Sequence, residues 1–209
     1  MLITISRQYA SGGTQVASLV AERLGWRLVG NALIDEVARR AGIPPEEVQA
    51  REDRPPSFVE RLARVASAEL PDLFLPAPPL GQPIGEGNLV RVTRSVVCEM
   101  AGEGPCVFVG RASAAVLAWR EDALHARLVA GPEFRRRVAV EVVGVAAAEA
   151  AAAVERRDAN RIRYHREYYA RDCDDPRHYD LVLNTERLGF PGAADLIVHR
   201  ARALGWAQS

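Results

Sequence analysis

The chain has no lysine: all 27 of its basic side chains are arginine. Any fixed positive charge it presents is therefore a guanidinium, planar, permanently charged and able to grip two oxygens at once. Net charge is absent too, because 27 acidic residues balance the arginines. Bulk charge thus gives no sign of a nucleic-acid or anionic-membrane partner, and neither is expected. Cysteine is scarce, with Cys98, Cys106 and Cys173 odd in number and far apart. No Cys-x-x-Cys or Cys/His ligand spacing occurs, and His125, His165, His178 and His199 show no metal pattern. That points to free thiols in a reduced compartment. No apolar run approaches the roughly 20 residues that span a bilayer. No signal segment is visible ahead of the first strand. The expectation is a soluble, cytoplasmic protein. At 209 residues, one α/β domain can bury about 70% of the surface of its unfolded chain without a metal or disulfide.

What the chain does have is concentrated first in Met1–Thr14, MLITISRQYASGGT. Leu2–Ile5 is a short β-rich run. Gln15–Leu24 carries a helical pattern through Val16, Leu19, Val20 and Leu24. Strand, glycine-containing turn and helix together aim backbone N–H groups and a helix N-terminus at an anion, usually phosphate. The turn departs from the common phosphate-loop pattern G-x-x-x-x-G-K-[ST]. Gly12 and Thr14 fit; Arg7 stands at the first glycine and Gly13 at the lysine. With no lysine elsewhere in the chain, Arg7 is the nearest source of the fixed charge. The competing reading is a plain β–α turn that uses Gly12-Gly13 for geometry alone.

The rest alternates strands and helices. Strands are expected at Trp26–Val29, Cys106–Val109, Leu124–Val129 and Asp180–Asn184. Helices are expected at Asn31–Ala41, from Pro44-Pro45-Glu46-Glu47, at Phe58–Leu70 with Ser57 as cap, at Asn88–Ala101, at Ala112–Trp119, from Gly131-Pro132-Glu133, through Ala146–Arg171 and at Pro191–Leu204. Such alternation means a parallel sheet covered on both faces, with ligands at the C-terminal strand ends. Pro71–Gly87 holds five prolines and three glycines. A packed surface loop is the simpler reading of it; a lid or a homodimer contact is the sharper one.

Arginines cluster in the C-terminal half. Arg135, Arg136 and Arg137 are consecutive, so they cannot all face one ligand. In Glu155–Arg171, Arg157 and Arg161 share a helical face with Asp158 beside it. Two guanidiniums so placed form a fork for phosphate oxygens. Asp158 is then positioned for a sugar hydroxyl, or it pairs with an arginine. Tyr164, Tyr168 and Tyr169 interleave with arginines, as in a binder of single-stranded nucleic acid.

Five segments, ITISRQYASGG, VFVGRASA, HARLVAGPEFRRR, RRDANRIRYHREYY and YDLVLNTERLG, together resemble the cytidylate kinase-like branch of the nucleoside monophosphate kinases, which are P-loop proteins. The resemblance spans nearly the whole of residues 1–209. It implies a three-layer α/β/α domain with a five-stranded parallel sheet, a mostly helical acceptor-side insertion at about 42–104 and a lid at about 132–170. It also implies ATP-dependent phosphoryl transfer, with Mg²⁺, to a nucleoside monophosphate, most simply a pyrimidine such as CMP. By the same resemblance Ser11, Gly12, Gly13 and Thr14 cradle the donor phosphates, with Thr14 near the metal. Arg111 holds the acceptor phosphate, Asp158 meets the acceptor sugar, and Arg161 reaches the acceptor phosphate. Arg7, Arg157 and Arg161 then stabilise the transferring group. Two departures stand out: Gly13 replaces the lysine, and Ala112 replaces an Asp that helps cytidylate kinases read cytosine. The alternative is a nucleotide-binding protein without kinase activity.

Overall fold

The computed structural model describes residues 1–52 and 86–206. The expected helix at Phe58–Leu70 and all but the last two residues of the proline-rich stretch lie outside the described residues. Five strands, β1 (Leu2–Arg7), β2 (Arg27–Val29), β3 (Cys106–Val109), β4 (Ala123–Val129) and β5 (Leu181–Asn184), form one sheet in the order β2-β3-β1-β4-β5. Every pairing is parallel. β1 is the central strand, with Leu2 opposite Cys106 on one side and Ala123 on the other.

Helices cover both faces. α1 (Gly13–Leu24) and α8 (Thr185–Ala203) pack on the face carrying Ile3, Ile5, Leu124 and Leu128. α2 (Asn31–Ala41) and α4 (Glu86–Gly102) pack on the other, against Leu2, Val29 and Phe108. Each large side chain fully buried in these layers contributes about 1.5–3 kcal/mol relative to exposure. α3 (Pro45–Glu52) leads from α2. α6 (Pro132–Glu141) and α7 (Ala150–Tyr169), joined through a short 3₁₀ turn at Ala147–Glu149, lean over the C-terminal end of the sheet. No described helix is long and apolar enough to cross a membrane.

Local chemistry explains most boundaries. Gly25 and Gly42 close α1 and α2 in the left-handed conformation, which glycine adopts without steric penalty. Pro132 and Glu133 open α6 in the first turn, where a missing N–H and a negative charge both suit the helix start. Asn184 caps α8 by accepting from the N–H groups of Glu186 and Arg187.

Two expected helices differ. The segment expected at Ala112–Trp119 is a single turn, α5 (Ser113–Val116). Arg111 and Ala112 have φ of 53° and 50°, so the helical conformation begins only after them. The closing helix begins at Thr185, not Pro191, and breaks at Gly189, where φ is 67° and ψ 164°.

Candidate active site

The turn after β1 is held from below. Gln8 N–H donates to the Leu128 carbonyl at 3.0 Å, and its side-chain Oε1 accepts from Ala130 N–H at 3.1 Å. Ser11 is fully buried, and its hydroxyl donates to the carbonyls of Gln8 at 2.9 Å and Leu128 at 3.3 Å. Thr185 Oγ1 donates to the Ser11 carbonyl at 3.0 Å. Gly12 has φ 81°, and a Cβ there would run into the Phe190 ring. Two constraints thus require glycine at one position.

Above this support, α1 presents an open N-terminus. Its first intrahelical bond runs from Val16 N–H to the Gly12 carbonyl at 2.9 Å. The N–H groups of Gly13, Thr14 and Gln15 ahead of it find no acceptor among the described residues. The first turn contains no acidic side chain, and no side chain caps it. Orphan donors and the positive end of the helix dipole therefore point together at whatever occupies the space in front.

That space is a cavity of about 770 Å³ at the C-terminal edge of the sheet. Arg7, Arg111, Arg157 and Arg161 all line it, as do Gly12, Gly13 and Thr14. No Asp or Glu is among its described lining residues. Each arginine is positioned. Arg161 Nη1 donates to the Arg7 carbonyl at 3.1 Å. Arg111 Nη1 donates to the Val48 carbonyl of α3 at 3.1 Å. The Arg157 guanidinium lies 4.7 Å above the Tyr9 ring, a cation–π contact. Arg111 projects from a strained corner: Gly110, Arg111 and Ala112 have φ of 67°, 53° and 50° in succession. Non-glycine residues in the left-handed region cluster where side-chain placement matters more than backbone comfort.

The remaining sequence candidates turn inward. Asp158 accepts from Tyr9 N–H at 2.7 Å, from Arg161 at 3.3 Å and from Arg135. Arg135, side chain 11% exposed, also donates to the Ala130 and Tyr9 carbonyls. Asp158 thus pairs with arginines, one of the two readings its spacing allowed, and ties α7 to the loop after β1. Ala139, Ala153 and Val154 close an apolar cluster around Tyr9 beside this knot. The three consecutive arginines do diverge. Arg135 points in, Arg136 pairs with Glu133, and Arg137 lies over the Phe134 ring. Sequence reading missed the supporting roles of Gln8, Tyr9 and Arg135. All three sit within motifs it had noticed, but their partners are far away in the chain. Tyr164 meets the rings of Tyr168 and Tyr169, with centroids 5.0 Å and 5.9 Å away, and His165 lies against Tyr164 and Tyr169.

A second buried polar layer lies beneath the β1–β4 pair. Arg127, 3% exposed, meets Ser6, Tyr179 and Asp174. Asp172, Cys173 and Asp174 bring their ligand atoms within 4.8 Å of one another. Both carboxylates already pair with arginine, Asp172 with Arg166 and Asp174 with Arg127, and burial raises the Cys173 thiol above its ordinary range.

Comparison with known proteins agrees with this geometry. No curated protein sequence matches the chain. Among solved structures, an uncharacterized protein from Eubacterium ventriosum is 20% identical, covers 97% of this chain and 99% of its own, and superposes with a TM-score of 0.69. A shikimate kinase from Bacteroides thetaiotaomicron is 12% identical over 98% of this chain and 97% of its own, with a TM-score of 0.52. These likenesses establish the fold, a three-layer α/β/α domain around a five-stranded parallel sheet. The model of the cytidylate kinase-like family matches residues 2–187. With a sheet order, an uncapped helix N-terminus and an arginine-lined cavity that all suit that assignment, the chain belongs to the cytidylate kinase-like family.

Proposed function

We propose that this protein transfers the γ-phosphoryl group of ATP to a nucleoside monophosphate, with a pyrimidine nucleotide such as CMP the first candidate. One observation carries the reading: four arginines and no described carboxylate line the cavity. A kinase whose acceptor is an alcohol needs a base to take the hydroxyl proton as the oxygen attacks. A phosphate monoester acceptor is already an oxyanion near neutral pH and needs positive charge to approach a second phosphate. The cavity offers charge and, among its described residues, no carboxylate base. In the proposed step an acceptor phosphate oxygen bonds to the γ-phosphorus. The bond to the β–γ bridging oxygen breaks, and ADP and a nucleoside diphosphate leave.

The donor triphosphate sits against the orphan N–H groups at the start of α1, with Gly12, Gly13 and Thr14. Thr14, exposed on the first turn of α1, offers the hydroxyl that would hold a nucleotide-bound Mg²⁺, which would offset phosphate charge. Ser11 supports the loop through its inward bonds. Arg111 takes the acceptor phosphate, while Arg157 and Arg161 face the transferring group. Asp158 acts by holding Arg135, Arg161 and the loop, in place of a sugar contact. Asn31 and Gln49, both at the cavity wall, carry the amides suited to a base edge. Ala112 is buried and offers no side-chain donor or acceptor for that purpose. α6 and the first half of α7 form the lid, and closing it excludes water from the reacting phosphates.

The test is a product assay with ATP and Mg²⁺ against CMP, dCMP, UMP, AMP and GMP, with shikimate and gluconate as alcohol acceptors and a no-acceptor control. Diphosphate from one nucleotide supports the reading. Phosphorylation of an alcohol alone overturns it. No product from any acceptor, with ATP still raising the melting temperature, favours a nucleotide-binding protein without transferase activity.

A further inference from the structure

The phosphate turn differs from the common pattern at two positions, and the structure shows that the two differences are one. Arg7 stands where the first glycine is expected, and Gly13 where the lysine is expected. The Arg7 side chain does not leave the loop. It runs across the first turn of α1 and ends at β3. A Cβ built on Gly13 would lie 2.8 Å from Arg7 Cγ and 3.1 Å from Cδ. A Cβ built on Gly110 would overlap the Arg7 guanidinium itself. The stem of Arg7 therefore occupies the space into which a side chain at position 13 would start, and its charged head rests on the bare backbone of Gly110.

We propose that Arg7 supplies to the donor phosphates the fixed charge that the loop lysine supplies in the common pattern, and that Gly13 and Gly110 are glycine to make room for it. The inference rests on the kinase reading for its catalytic part, though its phosphate-binding part stands without an acceptor. Three further observations support it. Arg7 lines the large cavity together with Gly12, Gly13 and Thr14, the residues around the orphan N–H groups. Its backbone is clamped, since its carbonyl accepts from Arg161 at 3.1 Å. It also borders a small pocket with Ser6, Gly110, Ser113 and His165, which places the head of the side chain beside the end of β3. A guanidinium in this position reaches phosphate oxygens from the strand side of the loop, whereas a lysine at position 13 would reach them from the helix side.

This explains why Gly13 and Arg7 cannot be exchanged singly. Gly13→Lys alone collides with the Arg7 stem. Arg7→Met alone leaves the loop without its charge. The double variant Arg7→Gly/Gly13→Lys rebuilds the common pattern. Two readouts are needed: kcat and KM for ATP with the acceptor that turns over, and the ATP-induced rise in melting temperature measured without acceptor. In wild type, ATP raises the melting temperature. Arg7→Met loses most of that rise, and its kcat falls roughly 10²–10³-fold, as on removal of one preorganised charge-stabilising group. Gly13→Lys behaves like Arg7→Met, and the double variant recovers at least about tenfold in kcat, or a measurable part of the ATP-induced rise. Arg7→Lys serves as the second variant should Arg7→Met melt below assay temperature; it keeps charge but loses the planar head, and is expected to be impaired less than Arg7→Met. An Arg7→Met protein that matches wild type in both readouts overturns the proposal. So does Gly13→Lys working as well as the double variant, because Arg7 would then not fill that space. Wild type that binds ATP but yields no product removes the kinase reading and leaves the binding comparison to decide the role of Arg7.

Discussion

The Asp158 carboxylate accepts a 2.7 Å hydrogen bond from the backbone N–H of Tyr9, a residue 149 positions away in the chain. Through the same carboxylate α7 holds Arg135 of α6 and its own Arg161. One side chain thus joins the turn after β1 to the two helices above it.

Removing that carboxylate leaves the largely buried Arg135 guanidinium with carbonyl partners only and Tyr9 N–H with none among those described. Asp158→Ala is expected to destabilise by about 3 kcal/mol, the usual cost of orphaning a largely buried charge. For a chain of this size that is a melting shift of roughly 6–12 °C. Calorimetry on the two proteins checks it. A shift under about 2 °C would show that the knot is energetically idle.

Arg111 is the acceptor-side arginine in the proposed reaction. Arg111→Ala is expected to raise KM for the acceptor roughly 10- to 100-fold, the value of a lost charge-assisted contact, while KM for ATP moves little. Steady-state kinetics with each substrate varied in turn separate the two. An unchanged acceptor KM would reassign Arg111 to a purely structural role.

Arg40 of α2 lies between Glu36 and Glu99 of α4, 2.5 Å and 2.6 Å away. The arginines hold both carboxyls at about 2, down from the usual 4.5, chiefly through side-chain hydrogen bonds. Unfolding releases those carboxylates to take up protons, so the stabilisation is full above pH 4.5 and drains as pH falls towards 2. Denaturant titrations of wild type and Arg40→Met should differ by a constant amount above pH 4.5 and converge below it. The pair is exposed, so high salt should shrink the difference.

His125 acts in the same sense at higher pH. Its Nδ1 lies 2.7 Å from Thr4 Oγ1, and burial pushes its pKa below 6.5, with Asp180 opposing and Arg171 adding to the shift. The unfolded imidazole takes a proton that the folded one resists, so stability is unaffected above pH 6.5 and falls as pH drops through the lowered folded value. His125→Gln should flatten the stability profile just below pH 6.5. An equal slope in both proteins would assign the pH dependence elsewhere.

Thiol reactivity gives a simple structural check. Cys98 is exposed, whereas Cys106 and Cys173 are buried, and burial raises the pKa of both of the latter. A native titration with an aromatic disulfide should show one fast thiol, with the other two reacting only on unfolding.

The strands were legible because their signal is local. Cys106–Val109 is apolar throughout, as a strand covered on both faces must be, and the structure shows it at those limits. The family was legible because five motifs lie in order along the chain. The helix at Ala112–Trp119 was misread because its apolar pattern is sound while the backbone at Arg111 and Ala112 is left-handed, and pattern does not report φ. The bonds of Asp158 to Tyr9 and Arg135 were hidden for another reason: spacing along α7 shows which residues share a face, but not which distant carbonyl or N–H that face meets. The course of Arg7 was hidden likewise. Gly13 and Gly110 read as turn glycines until the side chain lying over them is seen.

The place of β1 at the centre of the sheet has a bearing on how the chain reaches its fold. β1 is made before either neighbour, yet Leu2 pairs with Cys106 and Ala123. On the ribosome this strand, and the turn attached to it, must wait unpaired until β3 and β4 have emerged. Loop closure over so long an interval favours slow, late assembly. Meanwhile LITI is an apolar, uncharged strand without partners, the kind of segment that chaperones and aggregation compete for. Yield in a heterologous host should therefore depend on how quickly the first 129 residues are delivered, more than on the stability of the finished domain.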